Sequence, residues 1–342
     1  MSREARGVSQ IPEATLMTRK VLGLLLTTCF LASADPAAAQ PTGKIHRVGF
    51  LSGGFPGPSH WTAKLRAELQ QIGYVEGKNL AIESRFTENK IDRLPALADE
   101  LVRLKVDVIA TGGINDARAA KNATKTIPIV GLGLGDPVAN GLVESLARPG
   151  GNLTGFTAIT DELAGKRLEL LKETVPKLSR VALLWNSQFP DSARAWKQYQ
   201  ATARELNLQL HSMDVTSPEK FEPAFKEAVK ARREALAMTG GAFIAANLKR
   251  IANMAAKYRL PAISDRDDFV DGGGLMSYGA DDSERFKRVA VFVDKILKGT
   301  KPADIPVEWP TKFEFIINLK AAKQIGLTIP PNVLVRADRV IR

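Results

Sequence analysis

The chain has 342 residues, 44% of them hydrophobic and 25% charged, with a net charge of +11 at pH 7. That balance suits a globular protein of about two domains and excludes a disordered or fibrous chain. A single cysteine excludes a disulfide framework, and cations interleaved with acids, as in KRLELLKE at 166–173, read as a solvated surface with no nucleic-acid partner.

The first segment reads as a leader. Met17 opens MTRKVLGLLLTTCFLASADPAAAQ, in which Arg19 and Lys20 precede an apolar run of 12 residues, Val21 to Ala32. The run is too short to span a bilayer, which takes about 20 residues, and Ala37-Ala38-Ala39 offers a small-residue cleavage site. Residues 1–39 are therefore read as a secretory signal peptide starting at Met17, and the product as periplasmic. Cys29 falls inside this leader, and Thr28 before it is larger than a lipoprotein signal prefers. The remainder has no cysteine, no further apolar stretch long enough for a membrane span, and an expected soluble, monomeric state.

From residue 45 short β-rich runs alternate with helical patterns. RVGFLSG (47–53) reads as a buried strand, followed by a helix with Trp61, Leu65, Leu69 and Ile72 on one face. LAIESRF, VDVIATGG and IPIVGLGLG follow as strands, with RLPALADELVRL, NDARAAKNA and PVANGLVESLA as the helices after them. LTGFTAI (153–159) is a connecting strand. A second round then begins with the helix LAGKRLELLKETV and the strands RVALLWN, LQLHSMDV, EALAMTGG and LPAISD. GGGLMSYGA (272–280) leads to a helix carrying Phe286, Val289, Val293, Ile296 and Leu297. Two βαβα rounds predict an α/β protein of two Rossmann-like lobes with parallel sheets, hinged so that they can close on a ligand.

Enzymatic signatures fail one by one. The dinucleotide pattern would need glycine at Asp136 or Val138 in GLGLGDP (131–137). A phosphate loop would need Ser or Thr after Gly43-Lys44, Gly77-Lys78 or Gly165-Lys166, where Ile, Asn and Arg stand. LMSYG lacks the first glycine of a hydrolase elbow. The three histidines, His46, His60 and His211, have no metal-ligand spacing. The acid pairs Asp267-Asp268 and Asp281-Asp282 read as helix caps, and Asn152-Leu153-Thr154 as a chance sequon. No catalytic residue, metal ligand or cofactor is assigned.

Ligands of open α/β sheets bind beyond the carboxyl ends of the strands. Those ends carry Ser52, Gly53, Gly54 and Phe55, then Thr111, Gly112 and Gly113, then Gly133, Gly135 and Asp136. The second round contributes Asn186 and Ser187, Thr239 to Gly241, and Ser264 with Asp265, while Tyr278 sits on a connecting strand. Exposed N–H groups at helix starts suit a carboxylate. Asp136 and Asp265 suit an ammonium, and Phe55 and Tyr278 an apolar or aromatic side chain; together they describe a zwitterion such as an amino acid. The competing account is that glycines allow turns and that Ser, Thr, Asn and Asp cap helices. Asp136 before Pro137 fits both.

Four segments carry a family resemblance: GDPVANGLVESLARPGGNLTGFT (135–157), GKRLELLKETVPKLSRVALLWN (165–186), GGLMSYG (273–279) and the tail from Asp304 to Ile341. Over about 45–341 the sequence resembles the tryptophan/tyrosine-type substrate-binding proteins of ABC transporters. The resemblance implies the type I periplasmic-binding-protein fold, with an N-terminal lobe of 45–155 plus 281–304 and a C-terminal lobe of 156–280 plus 305–342, joined by three crossings. It also implies an exported protein that binds a small-molecule ligand without catalysis and serves ABC permease and ATPase subunits. A sensor presenting its ligand to a receptor, and a secreted α/β enzyme, remain open alternatives. A repressor of the same fold would need a helix-turn-helix before residue 45.

Overall fold

The computed structural model describes residues 44–342 apart from 55–60, 89, 158–162 and 189–191. The leader read at 1–39, together with Phe55 and His60, lies outside the described residues. Two sheets organise the rest. The first is wholly parallel, in the order β2-β1-β3-β4-β5. Its strands are β1 (His46–Ser52), β2 (Leu80–Phe86), β3 (Val108–Thr111), β4 (Ile129–Gly131) and β5 (Leu153–Gly155). Its helices are α1 (Trp61–Gln71), α2 (Leu94–Arg103) and α3 (Ile114–Ala123).

The second sheet has the order β12-β11-β10-β9-β8-β6-β7. Its strands are β6 (Arg180–Trp185), β7 (Gln209–Asp214), β8 (Ala235–Met238), β9 (Ala262–Ser264), β10 (Met276–Ala280), β11 (Phe313–Asn318) and β12 (Arg339–Ile341). Only the β10–β11 pairing is antiparallel. Helices α4 (Leu163–Thr174), α5 (Ser192–Glu205), α6 (Phe221–Lys230), α7 (Ala242–Ala246), α8 (Leu248–Lys257) and α9 (Asp267–Asp271) connect these strands. Helix α10 (Asp282–Leu297) follows β10, and α11 (Leu319–Ile325) and α12 (Pro331–Leu334) complete the chain.

Each sheet is apolar on both faces, as a parallel sheet covered by helices requires. On β3, Val108 and Ala110 enter one buried layer and Ile109 the opposite one. On β6, Val181 and Leu183 face one layer while Ala182 and Leu184 face the other. Residues of α10, among them Phe286, Val289 and Val293, return to the layer of Val48, Phe50 and Val130. The chain therefore passes between sheets three times: after β5, between β10 and α10, and between α10 and β11. The crossings are tied together. Thr154 Oγ1 donates to the Ile305 carbonyl at 2.7 Å, Glu308 N–H to Gly155 O at 3.0 Å and Thr157 N–H to Glu308 O at 2.7 Å.

Two expectations are corrected. PVANGLVESLA, expected as a helix, forms turns. Asp136 caps it through Ala139 N–H at 2.9 Å, and Gly141 at φ +65° closes it after one turn. Bonds from Gly141 N–H to Val138 O and from Leu142 N–H to Pro137 O complete a Schellman-type stop. Ile72, expected on the buried face of α1, is 42% exposed because the helix ends at Gln71 and the chain reverses at Gly73 with φ +94°.

Candidate functional site

Strand order decides where a ligand can sit. In the first sheet, β2 lies on one side of β1 and β3 on the other, so the connections leaving β1 and β3 diverge and open a crevice between their carboxyl ends. In the second sheet the same reversal occurs between β6 and β8. One cavity is lined from both crevices. The first sheet contributes Gly53 after β1, Ile91 and Leu94 after β2, and Gly113 to Asp116 at the start of α3. The second contributes Asn186 and Gln188 after β6, Thr216 after β7, and Gly240, Gly241, Phe243 and Ile244 after β8.

Of the strand-end residues expected to meet a ligand, Gly53, Gly113, Asn186, Gly240 and Gly241 line this cavity. Others support it from behind. Ser52 Oγ accepts Gly54 N–H at 3.2 Å, and the Gly54 carbonyl accepts Glu88 N–H at 3.1 Å. Gly112 packs so close that an added Cβ would lie 3.2 Å from both Ser52 Oγ and Asp116 Oδ2. Thr111 and Thr239, at the ends of β3 and β8, are buried with hydroxyls that have no partner among the described residues.

Gly133, Asp136, Asp265 and Tyr278 are also outside the lining. Gly133 packs against Trp61. Asp136 spends its carboxylate on Ala139 N–H and on Arg194, at 3.7 Å, because β4 is not a switch-point strand. Asp265 lies behind Gly240, where its Oδ2 would be 2.9 Å from an added Cβ. Tyr278 packs its ring against Phe313 and Phe315, with centroids 6.4 and 6.5 Å away, and its carbonyl accepts Arg167 Nε at 2.8 Å.

The sequence reading passed over Asp116, which is 3% exposed in the cavity wall. As the third residue of α3 it reaches back to the N–H of Gly113, the helix N-cap, and also accepts from Gly53. Its Oδ2 has no hydrogen-bond partner among the described residues. Burial pushes this carboxyl up to about 7, against the downward pull of the two N–H groups. The other wall residues are apolar (Ile91, Leu94, Ile114, Phe243, Ile244) or neutral and polar (Asn115, Asn186, Gln188, Thr216). Among the described residues the lining contains no histidine, cysteine or lysine, and no cluster of three metal-ligating side chains occurs.

The buried carboxyl makes stability pH-dependent. Its folded-state value of about 7 exceeds the ordinary 3.8, so the stability it supports is complete below about pH 4 and is lost as pH rises through 7. Asp116→Asn is therefore expected to match the parent near pH 4 and to exceed it by roughly 2–4 kcal/mol at pH 8. Thermal melts of solute-free protein across this range check it, and equal melts at both pH values would count against the assignment.

Both sides of the cleft also touch directly. Lys64 on α1 pairs with Asp268 on α9 at 3.3 Å, and the Arg266 guanidinium lies 5.2 Å from the Trp61 ring. The remaining motifs are structural. Asp281 caps α10 through Ser283 N–H, and the Asn152 amide is buried, donating to the Thr124 and Ile127 carbonyls. No helix among the described residues is long and apolar enough to cross a membrane.

Residues 59–341 match the family model described as ABC transporter substrate binding protein. A tyrosine-binding protein of Clostridioides difficile strain R20291 is 27% identical over 260 residues, covering 76% of this chain and 74% of that one. A conserved domain protein from Vibrio cholerae superposes with TM-score 0.78 at 24% identity, over 87% of this chain and 100% of that chain. The ABC domain from Streptococcus pneumonia in complex with L-Trp gives 0.76 at 24%, over 86% and 99%. At such identity the structural likeness speaks for the fold, that of type I periplasmic binding proteins.

Proposed function

The chain belongs to the ABC transporter substrate-binding protein family, and from that premise we propose that it captures an amino acid with an aromatic side chain and delivers it to a membrane permease with its ATPase. The observation that carries this reading is the cavity at the switch points of both sheets, which a ligand can enter only by engaging both. Its apolar wall of Ile91, Leu94, Phe243 and Ile244 suits a large side chain, and its polar groups suit the ammonium and carboxylate. Relatives named for tyrosine binding and solved with L-Trp support the same class.

In this reading 45–155 plus 281–304 move against 156–280 plus 305–342 about the three crossings. A ligand that binds only the closed arrangement raises its population, and the Lys64–Asp268 pair bridges the two sides in that arrangement. The protein acts in the periplasm after export on its leader, as a monomer and without catalysis. A thermal-shift panel of amino acids, sugars and nucleotides tests the assignment. L-tyrosine or L-tryptophan at about 100 times its Kd should stabilise the protein by about 2.7 kcal/mol. A response confined to sugars or nucleotides, or turnover of any solute, would sink it.

A further inference from the structure

Asp116 is more than a capping residue. Capping needs one acceptor for the N–H groups of Gly53 and Gly113, which an asparagine or serine supplies without charge. Here a carboxylate is used, and its Oδ2 stands buried in a cavity wall without a partner. Glycines stand beside that oxygen, where a Cβ on Gly112 would lie 3.2 Å away and one on Gly113 3.7 Å away. A buried carboxyl in this position holds either a proton or a cation.

Among the described residues the surroundings bring no cation to it. Asp116 is the one ionisable residue among the described lining residues. On its own helix, Arg118 donates to Asn140 and Lys121 to the Gly141 and Leu142 carbonyls. Helix α2, packed against α3, carries Asp99, Glu100 and Arg103, and Glu100 pairs with Arg85 on β2. The ends of β1, β3 and β4 next to α3 carry Ser52, Thr111 and Gly131. Across the cavity Asp265 lies behind Gly240 and adds a second acid to that side.

We propose that Asp116 recognises the ammonium group of the solute and that each capture exchanges its proton for that cation. The inference deepens the solute-binding reading and rests on it. In the empty cleft the carboxyl carries a proton. The ammonium of the entering solute takes the proton's place as the counter-charge, which leaves an ion pair of carboxylate and ammonium, and one proton departs to solvent. No bond of the solute is made or broken. Burial has already brought the carboxyl to about 7, so the exchange is nearly balanced at neutral pH. Affinity for an amine-bearing solute then falls by about tenfold per pH unit below 7 and is level just above it. A solute without an amine shows no such fall.

Calorimetric titration of the purified full chain tests this with L-tyrosine, L-tryptophan, tyramine and the amine-free 3-(4-hydroxyphenyl)propionate, in buffers of different ionisation enthalpy. Binding of L-tyrosine should release close to one proton at about pH 5.5 and almost none at about pH 8.5. The amine-free analogue should bind about 10- to 100-fold more weakly than L-tyrosine and release none. Asp116→Asn should lose a similar factor at the higher pH and abolish proton release. The analogue and proton arms need only the parent protein, so they stand even where the variant folds poorly. An analogue that binds as tightly as L-tyrosine, or proton release that persists in Asp116→Asn, overturns the proposal and leaves the amino-acid reading intact. Failure of L-tyrosine, L-tryptophan and tyramine all to bind overturns both.

Discussion

Gly155→Ala is expected to destabilise the protein by roughly 3 kcal/mol or more, lowering Tm by about 6 °C or more. Gly155 ends β5 at φ +150°, a backbone conformation that residues with a Cβ rarely adopt. An added Cβ would lie 2.3 Å from the Gly131 carbonyl oxygen and 2.5 Å from the Gly131 nitrogen. Both are backbone atoms of the neighbouring strand, so no rotamer change relieves the overlap, and β4 and β5 must part. The cost spreads to the crossing, because the Gly155 carbonyl accepts Glu308 N–H and Phe156 bridges Glu308. Gly151→Ala is the control. Its φ is +64°, and an added Cβ would meet nothing within 4 Å, so it carries the left-handed penalty alone, about 1 kcal/mol. Thermal melts of the two variants decide the matter, and equal shifts would show that close packing of β4 on β5 is not what requires the glycine.

The strands and most helices were legible because the central parallel strands are buried on both faces and the helices on one. LAIESRF matches β2 residue for residue, and VIAT of β3 is buried throughout. PVANGLVESLA misled because Leu142 and Val143 are buried while spaced as on a helix, although Gly141 stops the turn. Placing the cavity demanded knowledge that no local pattern holds. Every strand end looks alike in sequence, yet strand order makes the ends of β1, β3, β6 and β8 the ones beside a switch point. Asp-Pro drew attention to Asp136, which caps a turn after β4 outside the cavity lining, while TGGIND concealed Asp116 as an ordinary first-turn acid. Leu94 and Ile244 stayed hidden for another reason. They are core residues, 3% and 1% exposed, that present one side to the cavity.

Gly113→Val should separate binding from folding. Gly113 is the N-cap of α3 with extended backbone, φ −154° and ψ −177°, which a β-branched residue adopts without strain. An added Cβ would meet no described atom nearer than Asp116 Oδ2 at 3.7 Å, an ordinary contact. The fold therefore loses only the N-cap preference, about 1 kcal/mol. The isopropyl group, however, stands in the cavity wall beside Asp116 and fills space that glycine leaves to the ligand. Affinity for L-tyrosine should fall by about 100-fold or more, the scale on which loss of a charged hydrogen bond and a steric block combine, while Tm moves by only about 2–4 °C. Asp136→Ala supplies the opposite pattern. Its carboxylate serves Ala139 N–H and Arg194 outside the lining, so stability should drop by about 1 kcal/mol with affinity nearly kept. Calorimetric titration and melts of both variants read out the contrast. If Asp136→Ala loses the ligand and Gly113→Val keeps it, the binding site lies at the end of β4 and not at the switch between β1 and β3.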